Sequence, residues 1–379
     1  MIEIVEVKTR KQKKVFAKYP INLYKNCPYF VPSIRSDEVN SFNPKKNASL
    51  SVCDFKGFLA YKDNQLVGRI AGIINRGDNE LTGEKFVRFS RLESIDDVEV
   101  FKALLKAVAN YGKENGMEKM HGPWGFNDTD REGLLTYGFE ERSTYATNYS
   151  YPYFHKHIES LGFEDESKWS EMRFRIPDVV DERSAGLCER IKEKYNVREV
   201  ADVMSVKEIL STYGDRFFDT YNLAYGHLDG FVPVTDKREQ KNVLDQFATI
   251  VNPRYISILI DDKENVAAFS ICLPSICEPL IKHKGKLLTS IFGLLKAIKK
   301  PKELEMALIA VRPEYKNCGL NALMINRIMA NILQDKIQKI ESNPMLDTNF
   351  SIQQQWKFAD YEIVKKRQTY KINIDKFLG

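Results

Sequence analysis

The stretch Ala310-Val-Arg-Pro-Glu-Tyr-Lys-Asn-Cys-Gly-Leu-Asn-Ala-Leu323 decides how the chain is read. Ahead of it, Glu303-Leu-Glu-Met-Ala-Leu-Ile-Ala-Val311 is an apolar run that predicts a buried strand. Behind it, Ile325, Ile328, Met329, Ile332 and Leu333 recur at the three- and four-residue spacing of an amphipathic helix. The segment is therefore a strand-to-helix turn. Helix starts carry backbone N–H groups without intrahelical partners and a partial positive charge, so such a turn can hold a pyrophosphate without a side-chain cation. Gly319 removes the Cβ that would keep an anion away from the backbone.

Working outward, residues 255–260 and 265–273 are two strand-like runs joined by the polar turn 261–264, which predicts a hairpin. After the helix come a strand over 337–342, a short helix near 350–358 and a last strand over 367–374. The first half of the chain echoes this order. Residues 58–61 and 66–74 predict a hairpin and 86–92 a strand. Phe101, Leu104, Leu105, Val108 and Tyr111 then give a helix, followed by a strand at 117–121, a short helix at 153–163 and a strand at 172–177. Residues 178–185 are charged and irregular and read as a short linker. A strand at 196–200 follows, then a mostly helical region over 206–250, interrupted around Gly226 and Pro233. The expected division is into domains 1–177 and 178–379, and the class is α/β.

Composition limits the function classes. At 379 residues the chain exceeds twice the usual domain length of about 150. Its 43% hydrophobic and 29% charged residues are those of a folded globular protein. A net charge of +5 spread over the whole length is too dilute for a nucleic-acid footprint, and no nucleic-acid partner is expected. The six cysteines, at 27, 53, 188, 272, 277 and 318, show no two-residue spacing, so no metal is expected and a reducing cytoplasm follows. The N-terminal residues lack the apolar core of a signal peptide, and no apolar run reaches the length of a membrane span.

The strand, Val311-x-Pro313-Glu-Tyr315, Lys316, two residues and Gly319 resemble motif A of the GNAT superfamily of acyl-CoA N-acyltransferases. Lys316 stands where Arg or Gln is usual, and Asn321 replaces a final small residue, with Ala322 beside it. The order of elements is similar to the GNAT order from about residue 196 to the C-terminus. The first half resembles a second, degenerate copy, and the whole chain, with its Gly122-Pro-Trp-Gly125 segment, is similar to tandem-GNAT bacterial acetyltransferase-like proteins. The resemblance implies two domains, each a mixed, mostly antiparallel sheet flanked by helices. It also implies acetyl-CoA or another acyl-CoA as co-substrate, bound by Ile309, Val311, Lys316, Asn317, Cys318, Gly319, Leu320, Asn321 and Ala322. In the first half the equivalent turn, Glu93-Ser-Ile-Asp-Asp-Val-Glu99, has four acids and no glycine, and should repel a pyrophosphate.

Transfer of an acyl group to an amine needs a base for the amine proton and stabilisation of the thioester's developing charge. The resemblance implies a carboxylate on the strand before motif A, which points to Glu305, with Glu341 on the next strand as second candidate. Alternatively both carboxylates lie at solvated strand ends. Tyr225, His227 and Asp229 fall where the fold's acceptor wall is expected, and they either bind a small-molecule amine or belong to a loop shaped by its glycines. Trp356 occupies the usual tyrosine position, and indole cannot deliver a proton as phenol can. The expected function is N-acyl transfer from acyl-CoA. Its rivals are an acyl-CoA or small-ligand binding protein on the same scaffold, and a transferase using a carrier- or tRNA-bound donor. Residues 279–301 form an insertion whose apolar middle is flanked by lysines. It reads as a packed lid helix, a cover for an acyl chain, or a peripheral contact with an anionic membrane.

Overall fold

The computed structural model describes the chain except residues 128–129, 180–181, 229–230, 232, 350–353 and 358, and the side chains of 182–185 and 246. The first half lays down β1 (Ile2–Glu6), α1 (Arg10–Leu23), α2 (Arg35–Asn40), β2 (Cys53–Lys62), β3 (Gln65–Asn75), α3 (Arg76–Thr82), β4 (Phe86–Ser94), α4 (Val98–Glu114), β5 (Lys119–Gly122), β6 (Leu134–Tyr137), α5 (Pro152–Ser160) and β7 (Glu164–Phe174). The second half follows with α6 (Glu182–Tyr195), β8 (Arg198–Glu199), α7 (Val206–Tyr225), α8 (Lys237–Ile250), β9 (Ile256–Ile260), β10 (Val266–Pro274), α9 (Cys277–Lys282) and α10 (Leu287–Lys299). It ends with β11 (Glu303–Val311), α11 (Leu320–Gln334), β12 (Lys339–Ser342), β13 (Met345–Leu346), β14 (Tyr361–Asn373) and α12 (Ile374–Leu378).

These strands form one sheet in the order β1-β2-β3-β4-β5-β14-β7-β12-β11-β10-β9-β8, with β6 beside β14 and β13 beside β7. Two pairs are parallel, β4 with β5 and β11 with β12, and each is bridged by a helix, α4 or α11. The other pairings are antiparallel. Apolar residues of α4 and α5 close over β3 and β4 to make the first core. Aromatic residues of α7 close over β9 and β10 to make the second.

At the middle of the sheet the halves exchange strands. β14, from the end of the chain, pairs with β5 of the first half, while β7 pairs with β12 of the second. β7 and β14 pair with each other from Tyr361↔Phe174 to Lys371↔Glu164. Charges are buried along this seam. Glu171 forms an ion pair with Lys365 at 3.1 Å and accepts from Arg367, and none of the three side chains reaches solvent. Glu341 pairs with Arg173 at 2.7 Å, Lys339 at 2.9 Å and Lys365 at 3.4 Å. Burial of charge is tolerated because cations and anions alternate and each finds a partner.

Several elements differ from their sequence expectation. Part of the expected linker 178–185 is already helix, since α6 starts at Glu182. Its few apolar residues, including Cys188 and Ile191, pack on Leu320, Leu323 and Met324 of α11. α1 was hidden by its lysines, although a capping box of Thr9 and Gln12 starts it. β7 begins at Glu164 rather than 172, because the charged residues that open it disguise its alternation. The short helix expected at 350–358 lies partly outside the described residues.

Candidate functional site

A cleft of about 1350 Å³ runs between the two halves. One wall is β11, and pairing explains why it is open. β11 pairs with β12 only from Glu303 to Met306, after which the Asn343 N–H donates to the Met306 carbonyl at 2.9 Å. Beyond that point β11 pairs, among the described strands, only with β10, from Leu308 opposite Ile271 to Val311 opposite Ala268. The outer edge of Ala307 to Val311 therefore faces the cleft. An unpaired strand edge is a template for an extended, amide-bearing arm. At Ile309 the Tyr225 hydroxyl sits on this edge, donating to the carbonyl at 2.9 Å and accepting from the N–H at 3.2 Å.

The turn after β11 tightens through a 3-10 segment, Pro313–Tyr315, and reaches Gly319 at φ +82°, where α11 begins. This left-handed conformation favours glycine, and a Cβ would also meet Ile191 at 2.9 Å. Among the described residues no side chain caps α11. Its bare start, with Lys316, Asn317, Gly319, Leu320 and Asn321, lines the cleft. Among the buried polar atoms of cleft residues without a hydrogen-bond partner among the described residues are the amide atoms Asn321 Oδ1, Asn343 Oδ1 and Gln355 Nε2 and the indole Trp356 Nε1. Each such atom costs roughly 1–3 kcal/mol, so their gathering here points to a polar ligand. An uncapped helix start, an open strand edge and orphaned amides fit a phosphate- and amide-bearing molecule such as coenzyme A.

Of the residues expected to bind it, Ile309, Val311, Lys316, Asn317, Gly319, Leu320 and Asn321 line the cleft. Cys318 and Ala322 do not: Cys318 packs toward α6, and Ala322 sits on the exposed side of α11. Tyr225 and His227 line the cleft, while Asp229 lies outside the described residues.

The two candidate bases are separated by their surroundings. Neither side chain is among those lining the cleft. Glu305 is buried immediately behind the wall, accepting from the Tyr145 N–H at 3.0 Å, the Ser275 hydroxyl at 2.9 Å and the Cys277 thiol at 3.3 Å. Its neighbours Met306, Tyr145 and Ile276 do face the cleft. Burial pushes the Glu305 carboxyl above its ordinary pKa, and the hydrogen bonds it accepts only partly offset this. Burial alone would also raise Glu341, but Lys365 and Lys339 hold it below the usual carboxylate range. Glu341 is thus committed to the strand-exchange seam.

Sequence reasoning missed the part of the cleft lining that the first half supplies. Arg91, at φ +51°, lays its guanidinium against Phe55 and Phe126 and pairs with Glu38 at 3.4 Å and Asp130 at 3.3 Å. Arg131 completes this polar group. No periodicity brings residues 38, 91 and 130 together; the signal nearest to them is the Gly122-Pro-Trp-Gly125 segment, whose Trp124 also lines the cleft.

No family model matches the chain. Protein YghO of Escherichia coli (strain K12) is 26% identical over 376 residues, 95% of this chain and 93% of that protein. A protein named bacterial ceramide synthase, from Caulobacter vibrioides, is 23% identical over 327 residues, 83% of this chain and 81% of that one. Among solved structures, the tandem GNAT protein from the clavulanic acid biosynthesis pathway aligns with a TM-score of 0.56 over 99% of both chains at 10% identity. A GCN5-related N-acetyltransferase from Sphaerobacter thermophilus aligns at 0.50 over 98% of this chain and 96% of that one, at 8% identity. The chain has the tandem GNAT fold, as its sequence pattern led us to expect.

Proposed function

We propose that the protein is an N-acyltransferase that moves a fatty acyl group from coenzyme A to the amine of a lipid-like acceptor held in the cleft. The observation that carries this reading is the cleft itself. At about 1350 Å³ it has room for two long molecules, and its lining combines a bare helix start, an ionic cluster and apolar side chains such as Trp169, Phe231, Phe247 and Leu346. The similarity to a protein named ceramide synthase, whose name denotes joining a fatty acyl group to a long-chain amine, supports this choice of substrates.

An acyl-CoA supplies an acyl carbon activated as a thioester. The α11 start and the β11 edge bind and orient it, with Tyr225 moving off Ile309 to free the backbone groups it now engages. The acceptor nitrogen attacks the thioester carbonyl carbon, the C–S bond breaks, and the amine proton passes through a water to Glu305, whose raised pKa suits it to accept and return a proton. The Trp356 N–H offers a hydrogen bond to developing negative charge but no proton, so the departing thiolate takes its proton from water. We assign the base role to Glu305 rather than Glu341, whose lone pairs are engaged by three cations.

A second reading, a binding protein without turnover, is favoured by Tyr225 on the open edge and by an indole where the family uses a phenol. Two assays separate them. Thermal shift with acetyl-, octanoyl- and palmitoyl-CoA should show affinity rising with chain length, by up to ~0.8 kcal/mol per buried CH₂. Mass spectrometry should then find amide product with a long-chain amino alcohol and none with short polar amines. Equal shifts for acetyl- and palmitoyl-CoA would remove the fatty-acyl assignment, and binding without product would favour the second reading.

A further inference from the structure

α10 carries an apolar face that nothing among the described residues covers. Its inner side is anchored, with Ser290 buried and Leu294 packed with Ile276 and Leu280. On its outer side Leu287, Leu288, Ile291, Phe292 and Leu295 are exposed, Leu288 at 88% and Phe292 at 85%. Positions 287, 288, 291, 292 and 295 fall on one helical face. None of the residues of α10 lines the cleft, so covering an acyl chain there is not its role.

The surroundings of this face are basic. Between 282 and 302 the chain carries seven lysines and no acidic residue. At the start of α10, Lys18, Arg35, Lys282, Lys284 and Lys286 border a notch of about 370 Å³. The notch is tied to the first half, because the Arg35 N–H donates to the Gly285 carbonyl at 3.0 Å and Arg35 Nε to the Lys284 carbonyl at 2.7 Å. No helix among the described residues is long and apolar enough to cross a membrane, and α10 has only 13 residues.

We propose that α10 and the basic notch form a docking surface for an anionic membrane, with α10 lying in the plane of the interface. Exposed Leu and Phe side chains enter the acyl boundary, while the lysine heads meet anionic headgroups. A second copy of the chain is a poorer occupant, since pairing two such faces would bring two rings of lysines together. The inner side of α10 packs toward Ile34 and Tyr145, which line the cleft. Docking therefore sets the wall of the cleft beside the lipid surface from which a lipid-like acceptor would come. This consequence rests on the function proposed above, whereas the docking itself does not.

The test is flotation of the full chain, without any acyl-CoA, on vesicles of phosphatidylcholine alone or with phosphatidylglycerol. The expected result is binding to the phosphatidylglycerol vesicles that weakens as salt rises and is absent on phosphatidylcholine. A double substitution, Leu288→Ser with Phe292→Ser, should cut binding about tenfold or more, and so should Lys284→Glu with Lys286→Glu. Both pairs change exposed side chains, and an unchanged unfolding temperature shows that the fold is kept. Failure to float, or equal binding by the Ser variant, overturns the proposal. So does a wild-type dimer in light scattering that the Ser variant dissociates, which would make a second copy the occupant. Because no turnover is read, loss of docking and loss of the acyltransfer reading are distinguishable.

Discussion

In the parallel pair β11/β12, Glu305 lies opposite Glu341; at the same rung of β4/β5, the residues are Arg88 and His121. The difference continues along the chain. Arg88 donates to Asp78 at 2.6 Å and to the Gly125 carbonyl at 3.0 Å, holding the 123–126 segment across the end of β4, where the Trp124 N–H bonds to the Phe89 carbonyl at 3.0 Å. In the second half the Asn343 N–H bonds to the Met306 carbonyl at 2.9 Å in the same way, and it is Glu305 that stands where Arg88 does. α4 starts at Asp97, whose carboxylate caps the helix through the Glu99 N–H at 3.0 Å and pairs with Lys62 at 2.6 Å, while α11 starts bare at Gly319. The same strand-helix-strand unit is thus finished in two ways. The fold needs only the unit, whereas a phosphate ligand needs an uncapped helix start.

The sharpest way to break this comparison is at its rung of carboxylates. Glu305→Gln should lower turnover by about 10² to 10⁴ while leaving coenzyme A affinity intact, because a positioned base is lost and the binding surface is not. Single-turnover kinetics beside calorimetry separates the two quantities, and wild-type turnover would move the base elsewhere. Glu341→Gln should act on stability instead. Leaving Lys365, Lys339 and Arg173 around a neutral amide should cost roughly 3–5 kcal/mol, read by urea unfolding. A loss below 1 kcal/mol would mean that the seam is not what joins the halves.

Acid tests the first half separately. Burial alone would raise the Glu38 carboxyl, but Arg91 and Arg69 bring it down to about 2 from an ordinary 4.5. A folded pKa below the unfolded one contributes stability above pH 4.5 that is lost as pH falls toward 2. The contribution should be about 3 kcal/mol, and Glu38→Gln should flatten the fall between pH 5 and about 3. An unchanged slope would show that the ionic cluster of the cleft is solvated rather than fixed.

Much of the fold was legible because its carriers are local. The hairpins, the β11 run and the helical spacing of α4 and α11 each lie within one window of sequence. Gly319 marked the turn, and Asp97, among the acids after Leu92, is the residue that caps α4. The strand exchange was hidden because β7 and β14 are charged strands whose burial depends on partners about two hundred residues away, such as Glu171 for Lys365 and Arg367. For the same reason Glu341 read as a solvated or catalytic carboxylate until Arg173 and Lys365 were placed beside it. Arg91 and Glu38 gave no local signal, since they meet only when the cleft forms.

The central claim is that the second half alone binds coenzyme A, at the bare start of α11. Asn321→Asp gives that start the acid the first half already has: the new carboxylate should favour the helix by about 0.5 kcal/mol and repel a pyrophosphate. Isothermal titration of palmitoyl-CoA below its micelle-forming concentration should find one site per chain in the wild type and in Asp97→Asn, and affinity lower by about 100-fold in Asn321→Asp. Two sites per chain, or an affinity untouched by Asn321→Asp, would contradict the account.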